Sequence, residues 1–153
     1  MQINLIKEIC EFFKNIPYKD ETIVDFDYKL DNILFKNGED EIFAIVDFEY
    51  SHKTIPQLDV IKSARFFART EDETKLDFDM FNKFINAYLN INSLPINKHN
   101  IYCMLMFLVI RRLTYALQYY YYHTKNEIEY KNLAEKDLEL VKFIYNNKNK
   151  FYL

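Results

Sequence analysis

One glycine, Gly38, stands among 153 residues. A loop that cradles phosphates with backbone amides needs several, so neither G-x-x-x-x-G-K-[ST] nor G-x-G-x-x-G is encoded here. If this chain binds a nucleotide, another segment or chain must supply the cover. Cysteine is almost as scarce: Cys10 and Cys103 fit no metal spacing and no disulfide framework. Two unpatterned thiols suit a reducing cytosol, and a cytoplasmic location is expected. Positive charge is not in excess. Twenty basic against 23 acidic residues give a net charge of −3, without the basic footprint of a nucleic-acid binder. The N-terminal MQINLIKEICEFF carries charges within its apolar run and lacks a basic start, which argues against a signal peptide. No internal repeat or low-complexity block is present.

Apolar side chains are abundant. Half the residues are hydrophobic and 18% are aromatic, enough for a real core and for apolar surface that a partner can cover. The length fits one domain, residues 1–153. The stretch from Thr22 to Asp59 is the most informative. Ile23-Val24 reads as a brief strand leading to Asp27, with Asn32 five residues on. Ile33 to Phe35 and Ile42 to Val46 read as a hairpin, with Asn37-Gly38 as the turn signal. Asp47 follows the second strand. Two carboxylates and an amide oxygen on adjacent loops suit a hard divalent cation such as Mg²⁺, with one carboxylate left as a base. The alternative is an ordinary hairpin with solvated acids at its loops.

The rest reads as helices. A helix is expected from Ile3 to about Lys14, ended by Asn15 and Pro17, and another from Gln57 to about Ala68. The second presents Leu58, Ile61 and Ala64 inward and Lys62, Arg65 and Arg69 outward, either toward a phosphate or as a solvated face. A loop is expected from Phe48 to Pro56, with His52 solvated or touching substrate. Thr70 to Thr74 reads as an acidic linker, and Asp77 as the N-cap of a helix reaching Asn90. After the break at Leu94-Pro95, Ile101 to His123 reads as a buried helix. Arg111 and Arg112 in its middle make a membrane span implausible. The Tyr119 to Tyr122 run suits helix packing with some phenols at the surface, or stacking on a base or sugar. A last helix runs from about Glu127 to Tyr145, and the tail NNKNKFYL is expected to fray. Periodicity alone supports a mixed α+β, mostly helical chain: a hairpin near residues 22–59 against a helical body near 57–148.

The central stretch resembles the catalytic core of the aminoglycoside phosphotransferase, choline kinase and homoserine kinase superfamily, small-molecule relatives of the protein kinases. That family carries H-x-D-x-x-x-x-N-hydrophobic-L-hydrophobic and then hydrophobic-I-D-[FW]-[EG]. Asp27-Tyr28-Lys29-Leu30-Asp31-Asn32-Ile33-Leu34-Phe35 matches the first motif, and Ile45-Val46-Asp47-Phe48-Glu49 the second. The resemblance implies the mostly helical C-terminal lobe of a protein-kinase-like phosphotransferase, dependent on ATP and Mg²⁺ and acting on a small-molecule hydroxyl. It implies Asp27 as the catalytic aspartate, Asn32 and Asp47 as Mg²⁺ ligands, and Asp59 as a brace on the loop. Lys29 is a candidate for the transferring phosphate. Glu49, Glu71, Asp72, Glu73 and Asp79 are candidates for a cationic substrate. The family's histidine is Asp25 here, and neighbouring carboxylates raise one another's pKa unless compensated. Some twenty residues precede the motif, so the ATP-binding N-terminal lobe is expected to be absent. A separate chain carrying that lobe, or a homodimer, would cover the exposed face. The competing reading is a non-catalytic binding or self-associating module derived from this fold.

Overall fold

A computed structural model describes residues 2–16, 20–122 and 127–151. The fold is α+β and mostly helical, with five α-helices and two small two-stranded sheets among the described residues. Helix α1 spans Gln2–Lys14 and presents Leu5, Ile9 and Phe12 to the core. Asn15 closes it, its backbone and side-chain amides both reaching the Glu11 carbonyl. Pro17 and His123 lie outside the described residues.

Strand β1, Thr22–Val24, pairs antiparallel with a strand β4, His52–Thr54, so that Val24 faces His52. Between them β2, Ile33–Phe35, and β3, Ile42–Ile45, form the expected hairpin. Gly38 sits in its turn at φ +77°, where a β-carbon would be strained. The expected loop from Phe48 to Pro56 is more ordered than its sequence implied. It holds a 3₁₀ turn, Phe48–Tyr50, and then β4. His-Lys-Thr has no apolar alternation of its own, and the pairing with β1 supplies the structure.

Helix α2, Pro56–Ala68, opens on proline, whose fixed φ suits a first helical position. It packs on α3, Phe78–Ile91, where Asp77 caps as expected by accepting from Met80 N at 3.0 Å. Helix α4, Lys98–Tyr122, is the centre of the core. Ile101 through Met106 are fully or almost fully buried, with Ile101, Met104, Leu105 and Met106 each contributing on the order of 1.5–3 kcal/mol by leaving water. The helix is long and apolar enough to cross a membrane, but more than half of that stretch is buried against the rest of the chain. Tyr121 and Tyr122 are exposed, and Tyr119 and Tyr120 half-buried. Helix α5, Glu127–Asn146, packs along α4 through Ala134, Leu140 and Ile144.

Other expectations fail as well. Arg65 does not face outward: it is buried and shares the Asp137 carboxylate with Arg112. The tail does not fray through its described length, since Phe151 is 1% exposed against Phe78, Phe81 and Tyr102. In both cases the deciding partner lies on an element remote in sequence.

Candidate active site

The loop after β1 turns sharply at Phe26, whose φ of +62° is a left-handed conformation that costs a bulky residue about 1–2 kcal/mol. Two groups on α2 hold it there. Asp59 Oδ1 accepts from Phe26 N at 2.9 Å, and Lys62 Nζ donates to Phe26 O. The Lys62 ammonium also lies 4.4 Å over the Phe26 ring and 3.5 Å from Asp27 Oδ1. Asp59 and Lys62 are three residues apart on one helical face, which is why both reach the same loop.

Asp27 is buried. Its Oδ2 accepts from Lys29 Nζ at 2.7 Å and from Asn32 Nδ2 at 3.1 Å, and its carbonyl takes a second bond from Asn32 Nδ2 at 3.0 Å. Burial opposes the charge on Asp27. The Lys29 bond, the Lys62 charge and the Asn32 amide outweigh it and hold the carboxyl below its ordinary value. The Asn32 nitrogen is committed to Asp27, so Oδ1 is the ligand atom this side chain can offer. Asn32 is placed by a 3₁₀ turn, Leu30–Asn32, immediately before β2.

The hairpin carries the second acid to the first. Val46 N donates to Asn32 O at 3.0 Å, extending the ladder to the edge where Asp47 follows. Asp47 is exposed and also left-handed, at φ +68°. The bond to Asp27 raises the pKa of Lys29 against its partial burial, and the Asp47 charge adds to that and reaches Asp25 as well. The structure thus brings together Asp27, Asn32, Asp47, Lys29 and Asp59. An amide oxygen and an exposed carboxylate on adjoining loops form a donor set suited to Mg²⁺.

Asp25 stands where the resemblance has histidine. Both its carboxylate oxygens are shielded and lack hydrogen-bond partners, and burial followed by the Asp27 charge pushes its pKa up. Burial also raises Asp59, against the pull of the Phe26 amide. Asp25 and Asp59 line a cavity of about 420 Å³ with Tyr28, Phe84 and Tyr88 among its walls.

Other candidates lie elsewhere. Glu49 is exposed on the 3₁₀ turn after Asp47. His52 is neither free nor clearly aimed at substrate, with Nδ1 2.7 Å from Tyr50 O and its ring edge-on to Phe26. Glu71, Asp72 and Glu73 follow the far end of α2, roughly 15 Å along the helix from Asp59. Glu73 pairs with Arg69 and Arg112. Asp72 accepts from Thr70 and Thr74, bonds that hold its carboxyl down to about 2. Asp72 thus closes a turn and Glu73 anchors two arginines. Asp79 is exposed in the first turn of α3. Lys62, expected to face outward toward a phosphate or solvent, instead turns in to the Phe26 carbonyl and Asp27; its spacing from Asp59 was a usable signal.

A sequence model of the phosphotransferase enzyme family matches residues 2–86, more than half of the chain, running from α1 into α3 and including both motif loops. No curated protein matches.

Proposed function

Because this chain belongs to the phosphotransferase enzyme family, we propose that it takes part in ATP- and Mg²⁺-dependent phosphoryl transfer to the hydroxyl of a small molecule. The observation that carries the reading is the convergence of Asp27, Asn32 and Asp47, with Lys29 on Asp27, on one loop edge. Asn32 Oδ1 and the Asp47 carboxylate would hold the ion. When bound, Mg²⁺ neutralises charge on the phosphate oxygens. Asp27 orients the acceptor hydroxyl and takes its proton as the acceptor oxygen bonds to the γ-phosphorus and the bond to the ADP oxygen breaks. Lys29 is within reach of Asp27 and so of a phosphate placed before it. Asp59 keeps the Phe26 amide, and hence the loop, in place.

Two carboxylates and three aromatic rings around the 420 Å³ cavity favour a cationic alcohol as acceptor, by charge and by cation–π attraction. The nucleotide cover comes from a further segment or another chain. Its seat is the hairpin face beside Asp47, where Phe43, Phe48 and Tyr50 are more than half exposed.

A second reading, a binding module without transfer, draws on the two cations at Asp27, which weaken it as a base. Calorimetric titration with MgATP, repeated on Asp47→Ala and followed by assay of ADP release with amino and neutral alcohols, tests both. Saturable binding lost in Asp47→Ala, with acceptor-dependent ADP, supports the enzyme. Binding without ADP supports the module, and no binding at millimolar MgATP refutes nucleotide use by the chain alone.

A further inference from the structure

Away from the Asp27 loop, three side chains of metal-ligand type converge where α1 crosses α4. His99 and Cys103 are four residues apart on α4 and so share one face. Glu8 approaches from α1. One ligand atom from each lies within 4.8 Å of the other two. The His99 Nδ1 atom is 3.7 Å from Glu8 Oε1 and 4.0 Å from Cys103 Sγ, and Nε2 is 3.6 Å from that sulfur. A tetrahedral zinc, with sulfur at about 2.3 Å and nitrogen or oxygen at about 2.0 Å, has ligand–ligand edges of roughly 3.3–3.6 Å. The edges from His99 lie within about half an ångström of these values, and Glu8 and Cys103 close the triangle within 4.8 Å.

We propose that Glu8, His99 and Cys103 form a zinc site that ties α1 to α4. A thiolate, an imidazole and a carboxylate together select a borderline-soft ion over Mg²⁺ or Ca²⁺. Cys103 forms the fully buried floor, Glu8 is half-buried and His99 is exposed, so the ion enters from the His99 side. A cleft of about 390 Å³ lined by Glu8, Glu11, His99 and Asn100 opens there, giving water access to the fourth position that three protein ligands leave open. Lys148 Nζ lies 2.5 Å from Glu8 Oε1. A carboxylate has about four lone-pair sites and holds an ammonium and a metal together. The individual cysteines gave no metal spacing, and the histidine-to-cysteine step of four was the signal to look for.

Zinc alone, titrated into chelator-stripped protein, is expected to bind once per chain. At about 100-fold above Kd it raises Tm by roughly 5–10 °C. Cobalt in its place gives thiolate-to-metal charge-transfer absorption. His99→Gln, at an exposed position, weakens zinc binding by roughly tenfold or more, and Cys103→Ala abolishes the cobalt band, while Cys10→Ala changes neither. Circular dichroism checks that Cys103→Ala is folded; if it is not, His99→Gln decides. Equal zinc affinity in wild type and His99→Gln, or no binding by folded wild type at millimolar zinc, overturns the site.

Discussion

Lys62 and Asp27, 35 residues apart in sequence, meet at 3.5 Å beneath the candidate catalytic loop. The lysine is largely desolvated, and burial lowers its pKa despite the Asp27 charge. Lys62→Met therefore removes a charge that is expensive to bury as well as one that is paired. Its effect on stability is expected to stay within about 1–2 kcal/mol. The larger effect falls on Asp27, which loses one of its two cations. By NMR, the Asp27 carboxyl of Lys62→Met should titrate at higher pH than in wild type. An unchanged titration would remove Lys62 from the positioning role.

The carboxylates of this loop pull stability in opposite directions with pH. Asp27 is depressed below 3.8, so its contribution is present above 3.8 and fades as pH falls through its folded value. Asp25 and Asp59 are raised, so their ionisation opposes folding at neutral pH, and that opposition is relieved as pH falls toward 3.8. The denaturation midpoint should rise on mild acidification and then drop below about pH 3.8. Asp25→Asn should flatten the rise and increase the neutral-pH Tm. A lower Tm in Asp25→Asn would show that the charge is used.

The motif half of this site was legible because its information is local. Asp27 and Asn32 are five residues apart, Asp47 ends an apolar strand, and Asn37-Gly38 marks the turn between. Asp59 followed only from the resemblance. Lys62 and Arg65 were not legible as inward-facing groups. In sequence, cations at that spacing on an amphipathic helix look the same as a solvated face, and the acids that decide the matter lie on another loop and another helix. Strand β4 was missed for a related reason. Its three residues carry no pattern, and β1 dictates the pairing.

Asp137 is fully buried and neutralises two arginines. It accepts from Arg112 Nε at 2.9 and 2.8 Å, and Arg65 Nη2 lies 4.0 Å away. Burial, with Arg112 beside it, lowers the pKa of Arg65 to about 10, and its Nε has no partner. Asp137→Asn should destabilise the chain by about 3–5 kcal/mol, since two guanidinium groups lose their counter-charge. Glu73→Gln, at the open edge of the same network, should lose no more than about 1 kcal/mol. Guanidinium chloride denaturation of the two variants checks the ranking, and similar losses would mean that the Arg65 side of the network contributes little.

Phe151 makes the tail part of the core. Its ring lies 5.1 Å from that of Phe78, 5.7 Å from Phe81 and 6.1 Å from Tyr102. The chain leading to it is fixed at Lys150, whose carbonyl accepts from the buried Asn82 amide at 3.2 Å. The Lys148 ammonium sits 4.5 Å over the Tyr102 ring. A buried ring held by three others leaves a cavity when truncated. Phe151→Ala should therefore lose about 3–5 kcal/mol, with helical content retained at low temperature. Phe151→Leu, which fills most of the volume, should recover more than half of that loss. If denaturation instead places Phe151→Ala within about 0.5 kcal/mol of wild type, the tail is not docked in solution, and α3 and α4 must be stable without it.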